Sequence, residues 1–401
     1  KNTKQQLKNE GSFFVILKMH EQLEHVIMKT KHLLHDALPR VATPADSISD
    51  ITEGQAYRDL RASANLNSDD LTLTVSTDVS PVLSSSGASV WPIQFLVNEL
   101  PVTERLHHCT VAGLWFGKGH PSMTLFLEQF VKRINNMSPV VWEHEGNSHT
   151  SQAYVVCWCL EAPARAAVQN CILYNGYIGC PWRLTRGEYI DGCLRHINLT
   201  DGTPRTSAGV LRNMEIALSL GGSIPINGYF DPSPAVNFPH FNLVWGFTVE
   251  YMHAVLLGVV KQVTELQMSS ANCDEGYYVG GTAALTSISG RLEEIRPPHS
   301  FTRFPRPLST RGHWKASEWR HWLLFYWLPC TFGVLPEQYW LHVRKLVEAV
   351  HILLSHTFTS AAVDRAAGNA IERLEQTLED LGPEKWATNS AWSGARTLLT
   401  R

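Results

Sequence analysis

From Leu71 onward the chain is written in short runs of alternating apolar and polar side chains: Leu71 to Asp78, Val90 to Leu100 and Cys109 to Phe116, where Gly117, Gly119 and Pro121 end the pattern. Such alternation predicts half-buried strands, and the short turns between them predict an antiparallel meander. The period then changes: Met123, Leu125, Phe126, Phe130, Val131 and Ile134 recur at helical spacing behind a potential N-cap, Ser122. A fourth strand is predicted over Ala153 to Leu160. A second helix follows through Ala164, Ala167, Val168, Cys171 and Ile172, with Pro163 in its first turn. The predicted order is β-β-β-α-β-α.

Upstream, Phe13 to Leu38 reads as one helix, followed by a linker rich in Pro, Ser and Asp from Pro39 to Asp50. Beyond Asn175 strands nearly vanish. Apart from turns at Pro225 to Pro239 and Arg296 to Thr310, the pattern is helical through Leu381, with long apolar-striped helices over Val249 to Met268, Ser317 to Leu335 and Pro336 to Phe358. No internal repeat is present. The chain therefore divides into a helix and linker (1–65), an α/β domain (66–200) and an α-helical region (201–401).

A chain of 401 residues with 44% apolar content can bury large cores, and its length suggests two or three domains. The formal charge of −3 provides no general basic field, so any nucleic-acid contact must come from a local patch. The eight cysteines are scattered through apolar segments without a disulfide framework, as in a reduced, intracellular protein. No apolar run reaches the roughly 18 residues of a membrane span, and no signal peptide is visible. The first residue is Lys1, which is expected of a piece of a longer product whose upstream part could carry a DNA-binding module.

The strand-like runs carry the candidate chemistry. Asp78 closes the first and Glu161 closes the fourth. Two strand-borne acids in this order are the layout by which polynucleotidyl transferases of the RNase H-like class hold two metal ions. Phosphodiester chemistry of that kind needs hard oxygen ligands bridging Mg²⁺ ions about 3.5–4 Å apart. The alternative is structural: Asp78 begins a turn before Ser80-Pro81, and Glu161 caps or charges the first turn of a helix.

Several blocks together resemble a family of metazoan transposon-derived proteins related to DDE transposases of the CACTA type. They are Ser76-Thr77-Asp78, Ser85-Ser86 with Trp91-Pro92-Ile93, Ala112 through Gly117, Ala162-Pro163-Ala164-Arg165-Ala166, Asn175 through Trp182, Tyr251-Met252-His253 with Leu256-Leu257-Gly258-Val259, and Trp314 through Arg320. The similarity runs from about Leu71 to about Leu354. It implies an RNase H-like mixed sheet interrupted by a large α-helical insertion, with DNA cleavage and strand transfer assisted by Mg²⁺ or Mn²⁺. It also implies nuclear residence, with DNA and a homo-oligomer as expected partners and no membrane.

Departures from the family pattern change that expectation. The family has aspartate where this chain has Glu161, and the longer arm displaces the carboxylate in a kind of site that tolerates shifts of order 1 Å poorly. Arg183 stands where the resemblance implies the second cysteine of a zinc half-site after Cys180, so that site is expected to be lost. Cys193 and His196 could join Cys180 as replacement ligands, or be ordinary loop residues. Glu250 and His253, at the family's Asp-x-x-His position, share a helix face and could serve a metal; the alternative is an acid at a helix start beside a half-buried histidine. The last catalytic glutamate and the zinc histidines are expected to be missing, since the resemblance fades near Leu381. The reading is a degenerate DDE transposase, with Asp78 and Glu161 as metal ligands and Glu250 as the third candidate acid. Its alternative is a domesticated module that binds nucleic acid or protein without catalysis.

DNA contact is expected from the Pro-rich segment Arg291 to Arg320, which holds seven Lys or Arg against three Glu. Arg303, Arg306, Arg311 and Lys315 are its candidate phosphate ligands; a merely solvated loop is the alternative. The aromatics that follow, Trp314, Trp319, Trp322, Phe325, Tyr326 and Trp327, recur at helical spacing among leucines, which predicts a packed core and not a base-stacking platform.

Overall fold

The computed structural model describes residues 11–41, 47–82, 87–118, 121–190, 193–196, 202–359, 361–365 and 368. The chain forms two compact units: Lys1–Gly187 with Thr200–Val249, and Glu188–Leu199 with Glu250–Arg401.

The first unit is built on a mixed sheet. Its strands are β1 (Phe13–Ile16), β2 (Leu71–Thr77), β3 (Ala88–Val97), β4 (Thr110–Lys118), β7 (Ala153–Leu160) and β8 (Phe247–Val249); β5 (Val140–His144) and β6 (Asn147–Ser151) form a separate hairpin. The spatial order is β1-β4-β3-β2-β7-β8, and a two-residue strand, Ser80–Pro81, pairs with β3. Strands β2 and β7 run parallel, as do β7 and β8, while the β1, β4, β3 and β2 neighbours are antiparallel.

Alternation along the strands buries one face. Leu71, Leu73 and Val75 of β2 and Trp91, Ile93, Phe95 and Val97 of β3 are buried, as a period of two requires when one side faces a core. Helix α3 (Met123–Asn135) contributes buried Phe126, Leu127, Phe130, Val131 and Ile134. Its Phe130 ring meets the Trp158 ring of β7 edge-on at 5.8 Å. Four predicted strands and two predicted helices thus occur in the predicted order.

Four expectations need correction. Phe13 to Leu38 is not one helix: its aromatic and β-branched start, Phe13-Phe14-Val15-Ile16, pairs with β4, and helix α1 spans Met19–Val41. Such a run favours a strand when a sheet edge accepts it. The Val140-to-Ser151 hairpin went unpredicted, although Glu145 and Gly146, both at positive φ, form its two-residue turn. Strands are sparse beyond Asn175, but the helix predicted from Val249 starts later, because Phe247–Val249 joins the sheet beside β7. Finally, Pro39 to Asp50 is not all free linker, since Asp50 accepts from Arg105 Nη1 at 2.9 Å and Nη2 at 2.6 Å.

Glu99 ties helix α2 (Gln55–Ser63) to the sheet. Its buried carboxylate accepts hydrogen bonds from Thr72 N at 2.9 Å, Thr72 Oγ1 at 2.8 Å and Tyr57 Oη at 2.6 Å. Burial raises its pKa above the ordinary carboxylate value, outweighing those donors. With a folded pKa above the unfolded one, Glu99 contributes its full stabilisation below the ordinary carboxylate value and loses it as pH rises through the raised value. Urea midpoints measured from pH 4 upward are therefore expected to lose this downward component in Glu99→Gln.

The second unit is helical. Its core gathers Trp319, Trp322, Trp327, Val259, Val260 and Ile288, all fully buried. Two of the buried indole N–H groups find partners, as burial favours: Trp322 Nε1 donates to Thr264 Oγ1 at 3.1 Å and Trp327 Nε1 to Gln267 Oε1 at 3.3 Å. The aromatic run is a packed core as predicted, except that Phe325 is exposed. Two of the predicted long helices are not continuous α-helix. The first begins with π-helical turns, Met252–Val260, before Lys261–Met268; the second has a π-helical segment, Trp322–Tyr326, between Ala316–His321 and Trp327–Thr331. The third spans Glu337–Leu353. The expectation of helix through Leu381, and the unlike tail after it, lie largely outside the described residues.

Candidate functional site

The register between β2 and β7 sets the geometry of the two candidate acids. Ser76 pairs with Cys159 in parallel; one step further brings Thr77 beside Leu160, and the next residues are Asp78 and Glu161. Both acids therefore leave the carboxyl ends of neighbouring strands at the same level, where strand spacing is roughly 5 Å. Ligand sites in open α/β sheets gather at that edge.

Asp78 is exposed, and its Oδ1 accepts the N–H of Val79 at 2.7 Å. Glu161 is half-buried at the N-cap position of helix α4 (Ala162–Gln169), but its side chain makes no capping hydrogen bond. The turn alternative for Asp78 is thus realised in part, and Glu161 stands at a helix start as its alternative expects, without a capping side-chain hydrogen bond. Two carboxylates at adjacent strand ends fit a hard cation such as Mg²⁺, which takes one or two protein carboxylates and completes its shell with water or phosphate oxygens. Among the described residues no group of three or more His, Cys, Asp and Glu is arranged to hold a metal.

In the sheet, Val249 pairs with Leu160, so β8 ends level with β7. Glu250 follows it in sequence and opens the second unit. There its Oε1 accepts from Met252 N at 2.7 Å, and its Oε2 accepts from His253 N at 2.8 Å and lies 2.7 Å from His253 Nδ1. The i, i+3 spacing does bring the two side chains together. Their observed work is to cap and brace the start of the helical segment.

The soft-ligand candidates are distributed differently. Cys180 belongs to the first unit, whereas Cys193 and His196 belong to the second, with Cys193 opening the short strand Cys193–Arg195 that pairs with Glu188–Ile190. Arg183 lies in a two-stranded ribbon with Thr203–Pro204 and donates from Nη1 to Gly202 O at 3.0 Å. The guanidinium thus has a structural role at the position where the resemblance implies a thiolate.

Of the proposed phosphate ligands, two are already engaged. Arg306 forms a two-pronged pair with the buried Glu318, at 2.6 and 2.9 Å, and Arg311 Nη2 reaches Glu265 Oε2 at 2.8 Å. Arg303 and Lys315 are exposed and make no ion pair among the described residues, which leaves them available. No helix among the described residues is long and apolar enough to cross a membrane.

Compared with known proteins, the chain matches no protein-family model and no curated sequence.

Proposed function

We propose that the chain is a transposase-derived protein of the DDE type whose first unit is an RNase H-like domain, retained without a complete catalytic set. One observation carries the reading: Asp78 and Glu161 follow the ends of adjacent parallel strands in register. The strand order supports it, since three antiparallel strands, β4, β3 and β2, lead into β7 and β8, which continue parallel to β2, with β2 central and its parallel partner β7 beside it.

Asp78 and Glu161 would hold Mg²⁺ or Mn²⁺. When bound, such an ion activates an attacking oxygen or stabilises a leaving one in phosphodiester chemistry. Asp78, being exposed, offers its carboxylate to solvent and to a phosphate-bearing ligand; Glu161 supplies a half-buried second ligand on a longer arm. Three residues favour loss of catalysis: glutamate at 161, arginine at 183, and Glu250, whose oxygens are engaged by its own helix start. What remains is a nuclear, DNA-binding scaffold with Arg303 and Lys315 as phosphate contacts, and zinc has no role in it.

Calorimetry with Mn²⁺ tests the proposal. Stoichiometric binding is expected for the wild type and its loss in Asp78→Ala, with no nicking of plasmid DNA by either protein. Absence of binding in the wild type refutes the metal pair; nicking that disappears in Asp78→Ala refutes the loss of catalysis. Glu250→Gln is expected to leave Mn²⁺ affinity within about threefold, and a tenfold or greater loss, about 1.4 kcal/mol, would make Glu250 a ligand.

A further inference from the structure

Two arginines are buried in the first unit without a carboxylate partner among the described residues. Arg165 on α4 and Arg205 are 4% and 5% exposed. Arg165 lies over the Trp182 ring at 4.6 Å, and Arg205 over the Tyr229 ring at 5.1 Å. Arg205 spends Nε on Cys180 O at 2.9 Å and Nη2 on Ile178 O at 3.3 Å. Nη1 of each arginine and the hydroxyl of Tyr229 are enclosed and have no hydrogen-bond partner among the described residues.

These groups share one neighbourhood. Cys171 and Tyr229 face each other across a β-bridge, and Arg205 N donates to Trp182 O at 2.9 Å. The groups that act electrostatically on Arg165 are Cys171, Cys180 and Tyr229, and both arginines act on Tyr229. Two guanidinium charges thus lie in one buried neighbourhood among rings and free thiols. Leaving buried charge uncompensated is costly, and buried donors are rarely left unmade.

We propose that this cluster binds one small inorganic oxyanion, phosphate or sulfate, through Nη1 of Arg165, Nη1 of Arg205 and the hydroxyl of Tyr229. Planar guanidinium forks match oxyanion oxygens, and two of them exclude a metal cation. A thiolate is the internal alternative. Burial holds the Cys171 thiol well above neutrality, at about 11 even beside both arginines, so it supplies no charge at pH 7. The burial also excludes a polymer backbone, so the ligand is a free ion. Because Arg165 sits in the helix that follows Glu161, the bound ion would steady the base of the strand-end pair. The inference does not rest on transposase ancestry.

The test uses the whole chain, desalted into chloride buffer, and equilibrium dialysis against radiolabelled inorganic phosphate at 0.3 M NaCl, with unlabelled sulfate as competitor. One equivalent of phosphate per chain is expected, displaced by sulfate, with affinity at least tenfold weaker in Arg205→Lys, which keeps the charge and loses the fork. A saturable rise in melting temperature with phosphate, at constant ionic strength, should accompany it. No stoichiometric uptake by the wild type overturns the proposal, as does uptake undiminished in a folded Arg205→Lys or Arg165→Gln. The wild-type stoichiometry decides alone if the variants do not fold.

Discussion

Truncating Trp158 to alanine is expected to destabilise the first unit by about 3–5 kcal/mol, the range for removing a large buried ring. Trp158 is fully buried in the middle of β7, paired with Val75 on one side and Phe247 on the other. Its ring lies between Phe130 of α3 at 5.8 Å and Phe238 at 6.3 Å. These neighbours are anchored on a helix and on a loop next to the sheet, so the cavity cannot readily collapse. The same strand carries Glu161 at its end, and loss of the ring should loosen the register that aligns it with Asp78. Urea unfolding followed by far-ultraviolet circular dichroism measures the effect. A change below about 1 kcal/mol would mean that β7 is not packed as described.

In the second unit the largest single electrostatic effect is expected at Glu318. It is 7% exposed, accepts two hydrogen bonds from Arg306 and takes the backbone N–H of Lys315 at 2.8 Å, closing the start of the Ala316–His321 helix. Glu318→Ala removes both acceptor oxygens and all three hydrogen bonds. The half-exposed Arg306 can regain water, so the cost is expected at about 2–3 kcal/mol, below that of breaking a fully buried pair. Glu318→Gln keeps the shape and one acceptor and should cost less than half as much. Equal costs would show that charge and not hydrogen bonding holds the segment.

The strands that carry the acids were legible because alternation is strong where one face is buried: Ala153 to Leu160 is read with its observed bounds. The third parallel strand was not legible, since Phe247-Thr248-Val249 is too short to show a period and owes its pairing to β7. Phe13 to Ile16 was misread for a related reason: its apolar run is continuous with a helix, and only the waiting edge of β4 decides its conformation. The π-helical turns at Met252 and Trp322 leave no distinct trace either, because a helical stripe drifts only gradually when a turn widens.

At the site, residue types and order pointed to Asp78 and Glu161, and the observed register sets them level. Engagement of the other candidates was invisible in one dimension. Arg306 and Arg311 look like phosphate ligands until Glu318 and Glu265 are found against them, and Glu250 looks available until its helix start claims it. Arg165 and Arg205 gave no signal, because nothing in Ala164-Arg165-Ala166 or Pro204-Arg205-Thr206 announces burial without a carboxylate.

The most direct test of the strand-end pair is a crystal of the chain soaked in MnCl₂ and measured at the manganese edge. An anomalous peak within about 2.5 Å of carboxylate oxygens of both Asp78 and Glu161, the range of hard-ion coordination, is the predicted result. Peaks confined to other carboxylates, with none at the ends of β2 and β7, would contradict it.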